Sequence, residues 1–192
     1  MKNSKLIILR GKPTAGKTTA FHNLEKDKRM KNITFVDFSE IKNKFSKLPD
    51  EERKRLGKET LFKILKELMP SKKDILIEEM SRETINKYLG TDIKKYHYKI
   101  IVFQFEISIE TAYKRNVKRA KEKWHPLMAK TELEGLHKLH EERFDKKAIL
   151  INTENLNKKE VVNFIINKLK KISHEHKFSG KIKRKKPEVS AQ

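Results

Sequence analysis

Apolar positions along this chain fall into two patterns. Continuous runs stand at 6–9, 33–38, 74–79, 98–107 and 148–153, rich in Ile, Leu, Val and Phe. Such runs read as strands buried on both faces. Between them, apolar residues recur every three or four positions and predict helices over 18–28, 39–45, 50–68, 81–89, 108–124 and 131–144, with a last one opening at Asn157. Punctuation agrees with these limits. Pro70 closes the third helix, Ser81 caps the fourth and Gly90 stops it, Ser108 caps the fifth, and His125-Pro126 breaks it. Thr131-Glu132-Leu133-Glu134 has the spacing of a capping box. Gly57 weakens the middle of the 50–68 helix, so two shorter helices with a bend also fit. Strands alternating with helices predict a five-stranded parallel sheet, covered by helices on both faces and joined by right-handed crossovers.

One α/β domain is expected over residues 1–173. From His174 the apolar pattern stops, and 177–192 holds six Lys or Arg against one Glu, which predicts a basic, disordered tail at 174–192. The absence of cysteine excludes disulfides, thiol nucleophiles and thiolate metal sites. No apolar run approaches the ~18 residues of a membrane span, and no signal-peptide pattern precedes the first strand, so a cytoplasmic protein is expected. The formal net charge is +21, from 47 basic residues of which only nine are Arg. Two readings fit that charge: a nucleic-acid partner, or a lysine-rich composition combined with a polyanionic nucleotide ligand.

The chemistry begins where the first strand ends. Gly11-Lys12-Pro13-Thr14-Ala15-Gly16-Lys17-Thr18, followed by Thr19, is a full match to G-x-x-x-x-G-K-[ST], set between a strand and a helix. In such a P-loop the backbone N–H groups of residues 11–19 wrap a polyphosphate, and the helix N-terminus adds partial positive charge. Lys17 reaches the β/γ-phosphates of ATP and the Thr18 hydroxyl holds Mg²⁺. The fold class is therefore a three-layer P-loop NTPase fold. Two other acids stand at strand ends: Asp37, with Glu40 as the alternative if the register shifts, and Glu78, with Glu79 as the alternative.

Several positions beyond the P-loop narrow the class. No N-K-x-D motif is present, so a guanine-reading GTPase is not indicated. The order and spacing of Gly11 to Thr18, Asp37, Glu78-Glu79, Arg115-Asn116-x-x-Arg119 and the 136–169 segment resemble the small P-loop kinases of the nucleoside-monophosphate-kinase type. Within those, the chain looks most like the branch of zeta toxins, chloramphenicol phosphotransferase and the kinase domain of polynucleotide kinases. The resemblance covers residues 5 to 172. It implies an ATP- and Mg²⁺-dependent kinase with an alcohol acceptor and a lid at about 108–130. The acceptor would be a small molecule or nucleoside, or a polynucleotide 5′-hydroxyl or tRNA; a non-enzymatic ATP switch is the third reading. It also implies roles: Lys17 on the donor, Asp37 on the acceptor hydroxyl, Glu78 on Mg²⁺, and Arg115 with Arg119 on the transferring phosphate, with Arg143 a further candidate. Where the family often has Asp-x-Asp, this chain has Asp37-x-Ser39. His137 and His140 lack acidic partners placed for zinc and read as surface residues.

Overall fold

A computed structural model describes residues 3–123 and 127–182. Its strands are β1 (Ser4–Gly11), β2 (Ile33–Val36), β3 (Asp74–Glu78), β4 (Tyr98–Glu106) and β5 (Ile149–Asn152). The helices are α1 (Lys17–Glu25), α2 (Phe38–Asn43), α3 (Asp50–Leu68), α4 (Arg82–Lys95), α5 (Ile109–Lys123), α6 (Lys130–Glu142) and α7 (Lys158–Ile182). The strands form one parallel sheet in the order β2-β3-β1-β4-β5. Every residue of β1 is buried, because this central strand is paired on both edges and covered on both faces.

Alternation of side chains explains why the strand runs are continuously apolar. Ile7, Leu9, Leu76, Phe103 and Phe105 face one layer, packed with Phe21 and Leu24 of α1 and Val161, Ile165 and Leu169 of α7. Leu6, Ile8, Ile75, Ile77 and Val102 face the other, against Phe38 and Ile41 of α2, Leu61 and Leu65 of α3, and Ile85 and Leu89 of α4. The chain thus folds as the three-layer α/β sandwich expected. Its carboxyl strand ends, where β1 lies between β3 and β4, form one rim of the molecule.

Several helices depart from expectation. α3 is unbroken through Gly57, which is buried where α2 comes close: an added Cβ would lie 2.9 Å from Lys42 Cγ and 3.5 Å from the Phe38 ring. Glycine serves close helix packing here, not a bend. α4 continues past Gly90 to Lys95, because Ile93 extends the stripe begun by Ile85 and Leu89 onto the same core. α6 starts at Lys130 with Ala129 at its N-cap and no side-chain cap bond, so the capping box does not form. α7 is described to Ile182, eight residues beyond the point where the apolar pattern stops. Ser81 and Ser108 cap as expected, accepting from Thr84 N at 3.0 Å and Thr111 N at 3.3 Å. Asn157 and Glu160 cap α7 reciprocally, Asn157 Oδ1 accepting from Glu160 N at 3.1 Å and Glu160 Oε2 from Asn157 N at 2.7 Å. Trp124 and the His125-Pro126 break lie outside the described residues, as does 183–192.

Gly57 gives a direct test of the α2–α3 packing. Replacement by Leu should cost about 1–3 kcal/mol through overpacking. Thermal melting of the variant should then fall by several degrees. Ala gains helix propensity of up to ~1 kcal/mol, but its Cβ would crowd Lys42 Cγ near the root of that side chain, so it should melt between the parent and the Leu variant.

Candidate active site

The loop between β1 and α1 owes its shape to backbone demands that only certain residues meet. Gly11 has φ +140°, and a Cβ there would stand 2.2 Å from the Phe105 carbonyl oxygen, so β4 itself forbids a side chain. Lys12 N donates to that same carbonyl at 3.2 Å. Gly16, with φ +91°, faces open space at the N-cap of α1. Thr14 also holds a positive φ, +60°, and its hydroxyl donates to the Ala112 carbonyl of α5 at 3.1 Å. Ala15 is buried and its N–H closes the loop on Lys12 O at 3.3 Å. The Lys12 ammonium is held by Glu141 at 2.7 Å and Glu106 at 3.2 Å, which ties the loop to α6 and to the end of β4. Pro13 contacts the His137 ring through its carbonyl. Thr19 is exposed on the first turn of α1.

Two charged groups are enclosed beside this loop. Lys17 folds back so that its Nζ donates to the carbonyls of Gly11, at 2.9 Å, and Lys12, at 3.1 Å. Burial pushes its pKa below the ordinary lysine value. Glu78, fully buried at the end of β3, accepts from Thr18 Oγ1 on one oxygen and Ser39 Oγ on the other, both at 3.1 Å. Its pKa is pushed up, first by burial and then by the neighbouring Glu79 carboxylate. Glu79 turns elsewhere: its backbone takes a left-handed φ of +67° and its side chain pairs with Lys42 at 3.0 Å.

This arrangement passes a fit test for a nucleotide with a divalent cation. Among the described residues, Glu78 has hydroxyl partners but no cation within 4 Å, and Lys17 has carbonyl partners but no carboxylate. A carboxylate, a serine and a threonine hydroxyl are oxygen donors suited to Mg²⁺. An ammonium ringed by loop amides suits a polyphosphate. Ser39 therefore stands where the expected second acid of Asp-x-Asp is missing, and contributes a hydroxyl instead.

The remaining candidates are less uniform. Asp37 is the N-cap of α2, its Oδ1 accepting from Ser39 N at 2.8 Å and Glu40 N at 3.0 Å, so that helix begins at Phe38, one residue earlier than expected. Its other oxygen lies 3.9 Å from His22 Nε2, and Glu40 is exposed. Arg115, expected with Arg119 to face the transferring phosphate, instead donates to the Thr153 carbonyl at 2.7 Å and lies 3.4 Å from its hydroxyl. It fixes the chain just after β5. Arg119 is exposed one turn further along α5. Glu154 adds to the same clamp by accepting from Ser108 N at 3.1 Å and from the Ser108 and Thr111 hydroxyls at 2.5 Å. Burial corrects the reading of two histidines: His137 is 5 % exposed with an unpartnered Nε2, and His140 is half-buried.

A cleft of 1210 Å³ opens from Gly11 and Lys17 between α3, the start of α4 and the end of α6. Eight Lys or Arg line it against four carboxylates, so its field is positive. Two of its arginines carried no signal that the sequence reading used. Arg10, buried on β1 one residue before the loop, donates to the Arg143 carbonyl at 3.0 Å and is pushed below its ordinary pKa by burial. Arg82 is fixed by Asp145 at 2.8 Å and by the Ile100 carbonyl at 3.1 Å. A charged residue closing an apolar strand was the available sign for Arg10. Arg143 lines the cleft, as do Leu139, 37 % exposed, and Phe144, 43 % exposed.

Two titrations follow. Glu78→Gln keeps both hydroxyl contacts and removes a charge whose burial raises its pKa, a penalty that is fullest well above the ordinary glutamate range. Without nucleotide, the variant should melt at or above the parent at pH 7.5, with the difference shrinking toward pH 4 as Glu78 takes up its proton. His140 is pushed down to about 4, by burial and then by Lys17 and Arg10. Its NMR titration should show that midpoint. Stability should fall between pH 6.5 and 4, where the unfolded chain binds a proton that folded His140 refuses.

No protein-family model and no curated protein matches the chain. Among solved structures, a gluconokinase from Sinorhizobium meliloti 1021 superposes with TM-score 0.60 at 14 % identity, over 93 % of this chain and 97 % of that one. The tunicamycin resistance protein of Deinococcus radiodurans gives 0.61 at 17 % identity, over 87 % and 96 %. The Pnkp1/Rnl/Hen1 RNA repair complex gives 0.59 at 20 % identity, over 77 % of this chain and 48 % of the matched one. At these identities the likeness is one of fold. With the parallel order β2-β3-β1-β4-β5, the chain has the three-layer α/β fold of these structures, with its P-loop motif at 11–18 between β1 and α1.

Proposed function

We propose that the protein is an ATP-dependent kinase that transfers the γ-phosphoryl group to a hydroxyl of its acceptor. The observation that carries this reading is the Thr18–Glu78–Ser39 bridge. It gathers two hydroxyls and a cationless carboxylate at the foot of the loop, beside Lys17 and Glu79, which line the open cleft. A switch that only binds nucleotide has no use for an acceptor cleft of this size. The fold of the gluconokinase also supports a kinase.

When bound, Mg-ATP supplies the phosphoryl group and neutralises its charge. The chain's own part is positioning and electrostatics, because phosphoryl transfer spreads charge rather than demanding covalent help. Loop amides and Lys17 hold the donor phosphates, and Lys17 exchanges its two carbonyl contacts for phosphate oxygens. Thr18, Ser39 and Glu78 hold the cation. Asp37 uses one oxygen as a helix cap and offers the other to the acceptor hydroxyl, orienting it and taking its proton. Arg119 stabilises charge on the transferring group, and Arg115 positions the segment after β5. Phe144 and Leu139 give the acceptor an apolar wall, while Arg10 and Arg82 answer any negative charge that it carries.

Lys17→Ala should abolish phosphoryl transfer and weaken Mg-ATP binding, measured by ATP consumption across nucleosides, sugars, antibiotics and 5′-hydroxyl RNA and DNA ends. Turnover unchanged from the parent would end the kinase reading. The two arginines separate in kinetics. Arg119→Lys keeps charge but loses the planar two-point contact, so kcat should fall more than KM rises, by up to about 10³-fold. Arg115→Lys should lower the melting temperature more than it lowers kcat. Lys118→Ala, on the same exposed helix, should leave both unchanged. An Arg119→Lys enzyme with parental kcat would move the phosphate contact to Arg143.

A further inference from the structure

The acceptor cleft does not end at its own walls. Lys54 and Lys58 of α3 line it on one side and, on the other, line a second groove that runs between α3 and α4 to Tyr88. Along α3 this groove presents Lys58, Phe62 and Lys66, spaced i, i+4 and i+8 on one face, with Lys63 beside them. The two flanking lysines stand about 12 Å apart along the axis. Charge in the groove is not cancelled locally. Arg55 is paired with Glu59 at 2.9 Å and Lys54 with Asp50, but among the described residues no carboxylate lies within 4 Å of Lys58, Lys63 or Lys66.

Between these cations lies an aromatic platform. Phe62 is buried, and Tyr88 of α4 stacks on it with ring centroids 4.6 Å apart and planes 16° from parallel. Tyr88 remains 50 % exposed, and the ammonium of exposed Lys87 lies 5.6 Å from its ring centroid. An aromatic backed by a buried partner and half in water presents a ring surface on which a flat group can stack. Unpaired lysines flanking a stacking platform match one ligand chemistry: a strand with a regularly charged backbone and free π-faces. A simple solvated basic face explains the lysines but not the ordered, exposed ring.

We propose that the α3–α4 groove binds single-stranded nucleic acid and leads one strand end past Lys54 and Lys58 into the cleft at Lys17. The lysines neutralise successive phosphates and a base stacks on Tyr88. The direction of the strand rests on the kinase reading; the binding itself does not.

The test uses the full chain without nucleotide and a 12-residue oligo(dA) with a free 5′-hydroxyl and a 3′ fluorophore. Fluorescence anisotropy is read from 50 to 300 mM NaCl. Tyr88→Ala should weaken binding about tenfold, while Tyr88→Phe keeps it. Lys58→Ala with Lys66→Ala should reduce the slope of log K against log salt by about 1.4, the loss of two phosphate contacts on a single strand. Lys168→Ala with Lys170→Ala removes equal charge from α7 across the sheet and should change the slope much less. The proposal is overturned if Tyr88→Ala binds like Tyr88→Phe, if the α7 pair loses as much as the α3 pair, or if duplex of the same sequence binds as tightly. Tyr88-dependent binding without Lys17-dependent transfer would keep the groove and refute the kinase reading. Lys17-dependent transfer to small alcohols without any Tyr88 effect would do the reverse.

Discussion

Lys17 and Glu78 are enclosed charges of opposite sign that neighbour one loop and do not pair with each other. Each is held by groups that cannot neutralise it, backbone carbonyls for the ammonium and hydroxyls for the carboxylate. Direct pairing would be the cheaper arrangement for an empty protein, since burying separate charges carries a heavy desolvation cost. The sheet prevents it by fixing the ends of β1 and β3 in register, Leu9 opposite Glu78, while Lys17 departs on α1. What the apo chain leaves unsatisfied is a cation beside Glu78 and an anion beside Lys17. Most of the site's other features keep this separation in place: Gly11 sealed against β4, Thr14 tied to α5, and Lys12 occupied by Glu106 and Glu141.

The layers of the fold were legible because the signals were redundant. The inner strands β1, β3 and β4, covered on both faces, leave no polar alternation, and the edge strands β2 and β5 are apolar runs as well, although β5 leaves Leu150 49 % exposed. The P-loop was legible for a different reason: its glycines answer backbone constraints that operate within a few residues. Gly11 shows the limit of that logic, since the atom that excludes its side chain belongs to Phe105, ninety-four positions away. Tertiary contact decided what local rules could not. Gly57 and Gly90 read as helix breakers and are interior helix positions, because packing stripes on α3 and α4 run straight through them. The box at Thr131 has the right spacing, but α6 starts a residue sooner.

Within the site, positions marked by their sequence neighbours were legible and contacts made across the fold were not. Glu78 was identified at its strand end; its bond to Ser39 was not, because nothing in Asp37-x-Ser39 marks a hydroxyl as a substitute for a carboxylate. Arg115 and Arg119 share a helix face by spacing, yet one side chain reaches the end of β5 and the other stays at the surface. Histidines without acidic partners looked superficial, whereas the α6 face carrying them packs beside the loop. The diffuse positive charge gave no indication of location. Folding concentrates it where α3, α4 and the end of α6 converge.

The clamp at Glu154 has a mechanical corollary. Three donors from the first turn of α5 converge on that one carboxylate, and Arg115 ties the next turn to Thr153. The base of α5 is therefore fixed to the segment that follows β5, and further along the helix buried Asn116 donates to the Met128 carbonyl at 2.8 Å. Because the Arg115 and Glu154 contacts end on residues 153 and 154, the start of α5 and the end of β5 share one support, and loss of the Glu154 carboxylate would loosen both together.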